Sequence, residues 1–449
     1  MQRKIFKTFS LATAILLLLG LGITGREAHA EEPMLHIVNT TEDLRDFAQN
    51  GVCSAGEASY GPCSLRAAIY EAARRTSGKV TIEVPPGVYK LTLTGPDDEE
   101  DHYGDLDFPD LDDGEATDIT IIGTGEWDNP SVIDANFIDR VMEIGKNQKI
   151  RLENLVLKNG LAISDEDQPD YFGGGLKIDR ANVTLVHVRL TNNEARVSDE
   201  VGWSYGGGIY NDSSPLSLEY CELDHNKADS MSTLYGTYHD DPTYIWASSI
   251  HHNTVNTVDW QNQPHIKPGK LVMVNSAIYE NQGGGRIFIT TSPLVIQNST
   301  IISRGELGIV NNQSGNLALL FNILQVIPTP GVGSGGEVCY LSEGNEPSHG
   351  GNFFSDDSCG PTTADAVIPY SGMSLGPLAN YGGWTPTISL RPASPAVDFG
   401  SGKCPGLVYG QTLAEDQRDK DRDSRCDSGS FELQPGENPT VVYLPLIIK

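Results

Sequence analysis

Three copies of one pattern constrain this chain more than any other feature of it. Gly173-Gly174-Gly175 opens "GGGLKIDRANVTLVHVRLTNNEA", Gly206-Gly207-Gly208 opens "GGGIYNDSSPLSLEYCELDHNKA", and Gly283-Gly284-Gly285 opens "GGGRIFITTSPLVIQNSTIISRG". Each copy holds a short strand, a turn, and a second alternating strand that runs into Asn or another polar residue. Anchoring on the last apolar residue of the second strand gives Leu157, Leu190, Leu223, Ile250, Ile278, Ile301 and Leu324, spaced by 33, 33, 27, 28, 23 and 23 residues. Three residues past the anchors stand Gly160, Asn193, Asn226, Asn253, Asn281 and Arg304. A period that settles at 23 residues, with two-residue alternation and no helical periodicity, excludes stacked helix pairs. It predicts an all-β, right-handed parallel β-helix in which apolar residues stack inside and Asn stacks along one corner. The residues in excess of one period then form side loops, Ser164–Phe172, Val197–Tyr205 and Ser230–Thr243.

The same repetition decides what the glycines do. A phosphate loop needs a glycine-rich turn that runs into a helix, so that N–H groups and the helix dipole face the anion. Here each run enters a strand (LKI, IYN, RIFI) with no Lys-Ser/Thr behind it. A corner that needs positive φ and close coil contact explains the glycines.

A solenoid exposes core and unpaired backbone at both ends and needs caps. "CSLRAAIYEAARR" predicts an amphipathic capping helix over about 64–75, with Ser64 as N-cap, Leu65, Ala68, Ile69 and Ala72 as its apolar stripe, and Arg74 and Arg75 in its last turn. The chain therefore divides into a leader, 1–30; an N-terminal cap, 31–95; the β-helix, 96–359; an irregular C-terminal region rich in Pro and Gly, 360–434; and a linker with an apolar tail, 435–449. Basic Arg3, Lys4 and Lys7, an apolar run from Leu11 to about Ile23 and Ala28-His29-Ala30 read as a secretory signal peptide, which predicts a secreted protein with no membrane span in its mature part. For "NPTVVYLPLIIK" at the end, a stray strand and a sorting or anchoring element are both open readings.

Export makes sequence-near cysteines disulfide candidates. Of the seven cysteines, Cys53–Cys63, Cys339–Cys359 and Cys404–Cys426 pair on this reading, which leaves Cys221 as a buried, inert thiol. A net charge of −29 excludes nucleic acid and anionic lipid as general partners.

Several stretches resemble known families. "GVCSAGEASYGPCSLRAAI" resembles the N-terminal motif of CSLREA-domain proteins, with Ala67 where that family usually has Glu. "GDLDF", "VIDANFIDRVMEI" and "GGGIYN" are similar to coils of exported bacterial proteins with a pectin-lyase-like β-helix. "LGPLANYGGWTPTISLRPASPAVDFG" with "DQRDKDRDSRCDSGSFE" resembles the choice-of-anchor Q region, although Asp419 and Ser430 stand where that pattern more often has Gly and Ala. These resemblances imply a secreted or surface-displayed β-helix and no defined reaction, since such families are named by architecture.

Two acidic stretches are candidates for Ca²⁺. Asp97–Asp118 is acidic but interrupted by Pro109 and apolar residues, which suits a solvated loop. In "DKDRDSRCD", Asp419, Asp421, Asp423 and Asp427 approximate a calcium loop, while Ser424 replaces the usual Gly and Lys420, Arg422 and Arg425 offer internal pairing instead. For catalysis, the richest region is Asp224–Lys270: Asp224, His225, His239, Asp240, Asp241, His251, His252, His265, Lys267 and Lys270. His225 and His252 each precede a ladder Asn by one residue and so share a corner on adjacent coils. Tyr235, Tyr238, Tyr244 and Trp246 stand nearby for sugar stacking. No spacing assigns acid and base roles as a polysaccharide lyase or glycoside hydrolase requires. The expectation is a surface protein that binds extracellular polysaccharide or a cell-surface ligand without catalysis, with lyase or hydrolase action from Asp224, His225, Asp240, Asp241, His251, His252 and Lys267 as the alternative.

Overall fold

The computed structural model describes residues 33–439 apart from 57–59, 96–102, 115–116, 165–171, 199–202, 230–232, 238–240, 257–263, 291, 305–307, 313–315, 329–335, 342–346 and 407–410. The leader, the terminal tail, much of the acidic stretch after Asp97, Tyr238, His239 and Asp240 thus lie outside the described residues.

Among the described residues the strands form four parallel sheets, two of 11 strands, one of nine and one of five, and one antiparallel pair, Leu375–Ala379 with Thr387–Leu390. The first sheet runs from Met34–Ile37 to Ser348–Gly350 and the second from Gly87–Lys90 to Ala366–Val367. The third runs from Leu106–Phe108 to Cys339–Leu341, and the five-stranded side sheet from Leu161–Ser164 to Gln282–Gly283. One coil visits all four: Asn182–Val186 in the first sheet, Arg189–Thr191 in the second, Glu194–Val197 in the side sheet and Ile209–Asp212 in the third. The chain then returns to the first sheet at Leu216–Glu219, in parallel register with the strand it left. Parallel pairing with right-handed crossovers makes this the right-handed parallel β-helix that the repeats predict. The sheets reach beyond the boundaries read from the sequence, since Met34–Ile37 and Ala366–Val367 already pair with coil strands.

The seven anchor residues stack in register: Leu157, Leu190, Leu223, Ile250, Ile278, Ile301 and Leu324 are successive partners in the second sheet. All seven are buried, and they form the spine of one continuous apolar core. Next to this spine runs the Asn column. Each Asn side chain accepts at Oδ1 from the backbone N–H of the Asn before it, at 3.1 Å for Asn193 to Asn226 and 2.9 Å for both Asn226 to Asn253 and Asn253 to Asn281. Its Nδ2 donates back to the preceding anchor carbonyl, as Asn226 does to Leu190 at 2.9 Å. Buried backbone groups at the corner are satisfied in this way, which matters because an unpaired one costs about 1–3 kcal/mol.

A second polar column escaped the repeat search because its residue type changes from coil to coil. The N–H of Cys221 donates to Ser248 Oγ, that of Ser248 to Ser276, that of Ser276 to Ser299, that of Ser299 to Asn322 and that of Asn322 to Asn352. Cys221 is simply the residue that fills this column on its coil. It is buried, and burial pushes its thiol up to about 12, so it is inert.

The glycine runs combine two demands. Gly206 lies at φ +69°, where a side chain is strained, and a Cβ on Gly207 would lie 2.2 Å from the carbonyl oxygen of Lys227 on the next coil. Elsewhere the corners take positive φ without glycine. Between the second and side sheets the column Asn159, Asn192, His225, His252 and Glu280 has φ of 51–59° throughout. The coil geometry imposes this conformation whatever the side chain.

At the N-terminus the helix Leu65–Ala73 covers the first coils, and Ser64 Oγ accepts from Ala67 N at 3.1 Å. Arg74 and Arg75 are not in its last turn as the sequence suggests. The helix ends at Ala73, Arg74 is the C-cap, and its guanidinium lies 4.2 Å from the Tyr70 ring centre.

The C-terminal region packs along the corner between the first and second sheets. Trp384 stacks on His187 at 3.9 Å, and the Tyr220 hydroxyl donates to Asp419 at 2.6 Å. Thr385 donates to the Ala247 carbonyl at 2.8 Å, Arg422 to Asn275 Oδ1 at 2.9 Å, and Gly429 N to the Phe321 carbonyl at 2.7 Å. The strap thus spans the coils from His187 to Phe321. Inside it Arg418 pairs with Asp416 at 2.8 Å and lies 3.5 Å over Phe431, while Arg422 pairs with Glu432 at 2.9 Å. The disulfides are the three read from the sequence, and Cys404–Cys426 sits in the apolar contact between strap and coils.

Candidate functional site

Successive coils place residues of equal offset from the anchors side by side, so the outer face of the second sheet collects chemistry from distant sequence. Thr191, Asp224, His251 and Tyr279 are consecutive register partners. Asp224 is buried beneath a polar cover. It accepts from Arg189 Nε and Nη2, both at 2.8 Å, and from Thr191 at 3.0 Å, and it pairs with His225 Nδ1 at 2.6 Å. Burial alone would push its carboxyl up. The hydrogen bonds from Arg189 and His225 outweigh that and hold it well below the usual carboxylate range.

His225 responds in the opposite sense: its hydrogen bond to Asp224 raises it above the ordinary histidine value. The ring is more than half exposed and its Nε2 is turned away from Asp224. On the next coil His251 Nε2 faces Glu222 Oε1 at 3.1 Å, and His251 Nδ1 faces His252 Nδ1 at 2.8 Å. His252 Nε2 faces Glu280 at 3.1 Å, and Arg304 donates to Glu280 at 3.1 Å and to the Tyr279 hydroxyl at 2.9 Å. The His225 and His252 rings lie parallel, 5.4 Å apart. The shared corner expected from their places before the ladder Asn is what the structure shows.

The linkage has a definite sign. A histidine raised in the folded state adds stability below its ordinary pKa of 6.5, and this is lost as pH rises through the raised value. In an NMR titration the His225 ring signal should move above pH 6.5 in the native chain, and Asp224→Asn should return it toward that value.

The outer face of the third sheet carries an aromatic row. Tyr210, Tyr235 and Lys267 are in register across three coils. Tyr205, just ahead of the second glycine run, stacks on Tyr235 at 4.6 Å, and Phe172 bridges Tyr205 and Tyr210 at 4.9 and 4.7 Å. Trp203 lies parallel to Tyr205 at 6.4 Å and is 54% exposed, and Lys267 Nζ sits 5.0 Å from the Tyr235 centre. The inner rings cover one another's faces, so the row offers solvent their half-exposed rims and the open ring of Trp203.

The remaining candidates scatter. His265 is buried, donates from Nε2 to the Gly283 carbonyl at 3.1 Å, and is pushed down to about 4 by burial, which makes it a core residue. Asp241 precedes one strand of the first sheet and Lys270 begins the next, away from the His225 corner. Tyr244 points outward from the first sheet, whereas Trp246 packs against the strap near Cys404 and Cys426.

Asp419, Asp421, Asp423 and Asp427 are dealt out separately along the strap. Asp419 accepts from Tyr220, Asp423 from Arg425 N at 2.7 Å, and buried Asp427 from the N–H groups of Asp398 and Leu433 at 2.6 and 2.7 Å. Nor does the run pair internally as its basic residues suggest, because Arg422 reaches instead to Glu432. Among the described residues, the carboxylates that do converge within 4.8 Å are Asp105, Asp107 and Glu143. Arg140 occupies that group, 2.9 Å from Asp105 and 3.0 Å from Glu143, and supplies the positive charge itself.

Sequence reasoning missed Arg189, Glu222, Glu280 and Arg304 in the first cluster and Phe172, Trp203, Tyr205 and Tyr210 in the second. The signal was present for the first four: each lies one to three residues from an anchor, and the same offset on every coil projects onto one face.

No family model matches the chain, and no curated protein matches it. Among solved structures it is similar to one titled "Crystal structure of pectate lyase Pel9A", at 13% sequence identity and a TM-score of 0.42, covering 90% of this chain and 96% of that one. The likeness is one of fold.

Proposed function

We propose that this protein is exported and binds extracellular polysaccharide along the outer face of its third sheet without cleaving it. The observation that carries this reading is the aromatic row Trp203, Tyr205, Phe172, Tyr210 and Tyr235 with Lys267 at its edge. Tyrosine and tryptophan combine an apolar body with a polar tip, which suits the mixed surface of a sugar ring. The mutual stacking fixes the tyrosines, so little side-chain entropy is lost on binding. A polymer lying along successive coils would meet the row as a line. Three disulfides suit an oxidising compartment, and among the described residues no helix is long and apolar enough to cross a membrane. Attachment to a cell surface through the C-terminal region remains part of the same proposal and rests on the resemblance of that region alone.

The Asp224–His225 pair favours a second reading, acid–base action on a polysaccharide. It is weaker because the carboxylates around it are engaged: Asp224 with Arg189, Glu222 with His251, and Glu280 with His252 and Arg304. A hydrolase needs two carboxyl groups free to serve as acid and as base or nucleophile.

The test is affinity electrophoresis through gels of acidic and neutral polysaccharides. Trp203→Ala and Tyr235→Ala should each weaken retention at least ~10-fold, the effect of losing a central aromatic contact. Tyr244→Ala, on another face, should leave retention unchanged. Equal retention by all three variants would sink the assignment to the third sheet.

A further inference from the structure

The contacts that run from Glu222 through His251 and His252 to Glu280 leave two lone pairs facing each other. Carboxylates only accept hydrogen bonds, so the Nε2 atoms that face Glu222 and Glu280, each at 3.1 Å, must both carry hydrogen. A neutral imidazole has a single N–H, so both Nδ1 atoms are then bare acceptors. They stand 2.8 Å apart. Two acceptors at that distance require a cation between them.

We propose that His251 and His252 bind a divalent transition-metal ion of the zinc, nickel or copper class through their two Nδ1 atoms, with water completing the coordination. Three features favour a metal ion at this place. First, a ligating histidine characteristically donates its other ring N–H to a carboxylate, which fixes the ring and raises its basicity. Glu222 does this for His251, and the Glu280 carboxylate stands 3.1 Å from Nε2 of His252. Second, the two rings meet at 89° with centres 5.0 Å apart, and tetrahedral bonding would need the Nδ1 separation to open only to about 3.3 Å. Third, the His252 side chain is 37% exposed, so a hydrated ion can reach the corner and keep part of its water.

The surroundings are electrostatically permissive. Asp224, Glu222 and Glu280 set three carboxylates against the two guanidinium groups of Arg189 and Arg304. The neighbouring His225 is anchored by Asp224 through Nδ1, and its parallel stacking on His252 limits how far that ring can swing. Nitrogen ligands select transition metals, whereas calcium prefers oxygen. The proposal is therefore separate from any calcium uptake along the strap, and it stands whether or not the third sheet binds glycan.

The experiment titrates untagged full-length chain, freed of metal by chelator, with zinc, nickel and copper salts. Calorimetry gives stoichiometry, and paramagnetic resonance of the copper form counts nitrogen ligands. One ion per chain should bind, with two imidazole nitrogens in the copper spectrum and no displacement by a large excess of calcium. His252→Ala should weaken binding at least tenfold, as should His251→Ala. Because His251 is nearly buried and its variant could misfold, the exposed His252 carries the decision, with an unchanged circular dichroism spectrum as the control. Absence of saturable binding would overturn the proposal and assign the cation between the rings as a proton. So would binding that survives His252→Ala unchanged.

Discussion

Asn226→Ala should lower the unfolding free energy by about 3 kcal/mol or more, read as a fall in the denaturant midpoint, whereas Asn192→Ala should cost about 1 kcal/mol or less. The two residues are both Asn and both sit at the corner between the second and side sheets. Asn226 is buried and its side chain makes four hydrogen bonds. Its Oδ1 accepts from Asn193 N and Nδ2 at 3.1 and 3.0 Å, and its Nδ2 donates to Leu190 O and Asn253 Oδ1 at 2.9 and 3.1 Å. Alanine strands the buried N–H of Asn193. The Asn192 side chain is outward-facing and donates to Asn159 Oδ1 at 2.6 Å, so its removal costs mainly the positive φ that alanine must hold there. Because each coil rests on its neighbours, loss at Asn226 should also weaken the coils beside it. Equal costs for the two variants would show that the column is not what holds the corner.

Arg422→Met should free the C-terminal strap while the coils persist. The guanidinium is buried, and besides Glu432 it holds Asn275 Oδ1 at 2.9 Å and the carbonyl of Gly429 at 3.1 Å. Removing it leaves Glu432 as an uncompensated buried carboxylate, an arrangement that costs about 3–5 kcal/mol. Limited trypsin digestion should then cut between 374 and 433 in the variant and spare the native chain, with the β-sheet signal in circular dichroism retained. The defect should ease as pH falls. Burial raises Glu432, and burial with Glu432 beside it pushes Asp427 up to about 7. The folded strap therefore binds more protons than the unfolded one, and its stability declines as pH rises from about 4 through 7. Without Arg422 that decline should steepen. A variant as resistant to trypsin as the native chain at pH 8 would contradict the role given to this pair.

How far the sequence reaches depends on how local the cause is. The seven anchors and the four Asn were legible because one residue type recurs at one offset, and the physical demand behind it, a satisfied corner or a filled core, is the same on every coil. The disulfides were legible because their partners are near in sequence. The second polar column was not, because serine, asparagine and cysteine serve the same place on different coils. The positive-φ corners at His225, His252 and Glu280 were invisible for a deeper reason: coil geometry imposes that backbone on residues with no preference for it. The strap was read as a separate region because its contacts, such as Arg422 with Asn275, join residues 147 apart with no periodicity to betray them. The aromatic row was legible in part, since Phe172 and Tyr205 each stand directly before a glycine run, 33 residues apart, whereas Trp203 has Asp170 at its equivalent place and no repeat announced it.

The most direct test of binding without cleavage is to incubate the full chain with the polysaccharides that retain it, with and without EDTA, and to assay the mixtures for new reducing ends and unsaturated-uronate absorbance. Retention with neither product, lost in Trp203→Ala, is the result expected. Product that accumulates with time and disappears in His225→Ala would contradict the account and transfer the function to the Asp224–His225 corner.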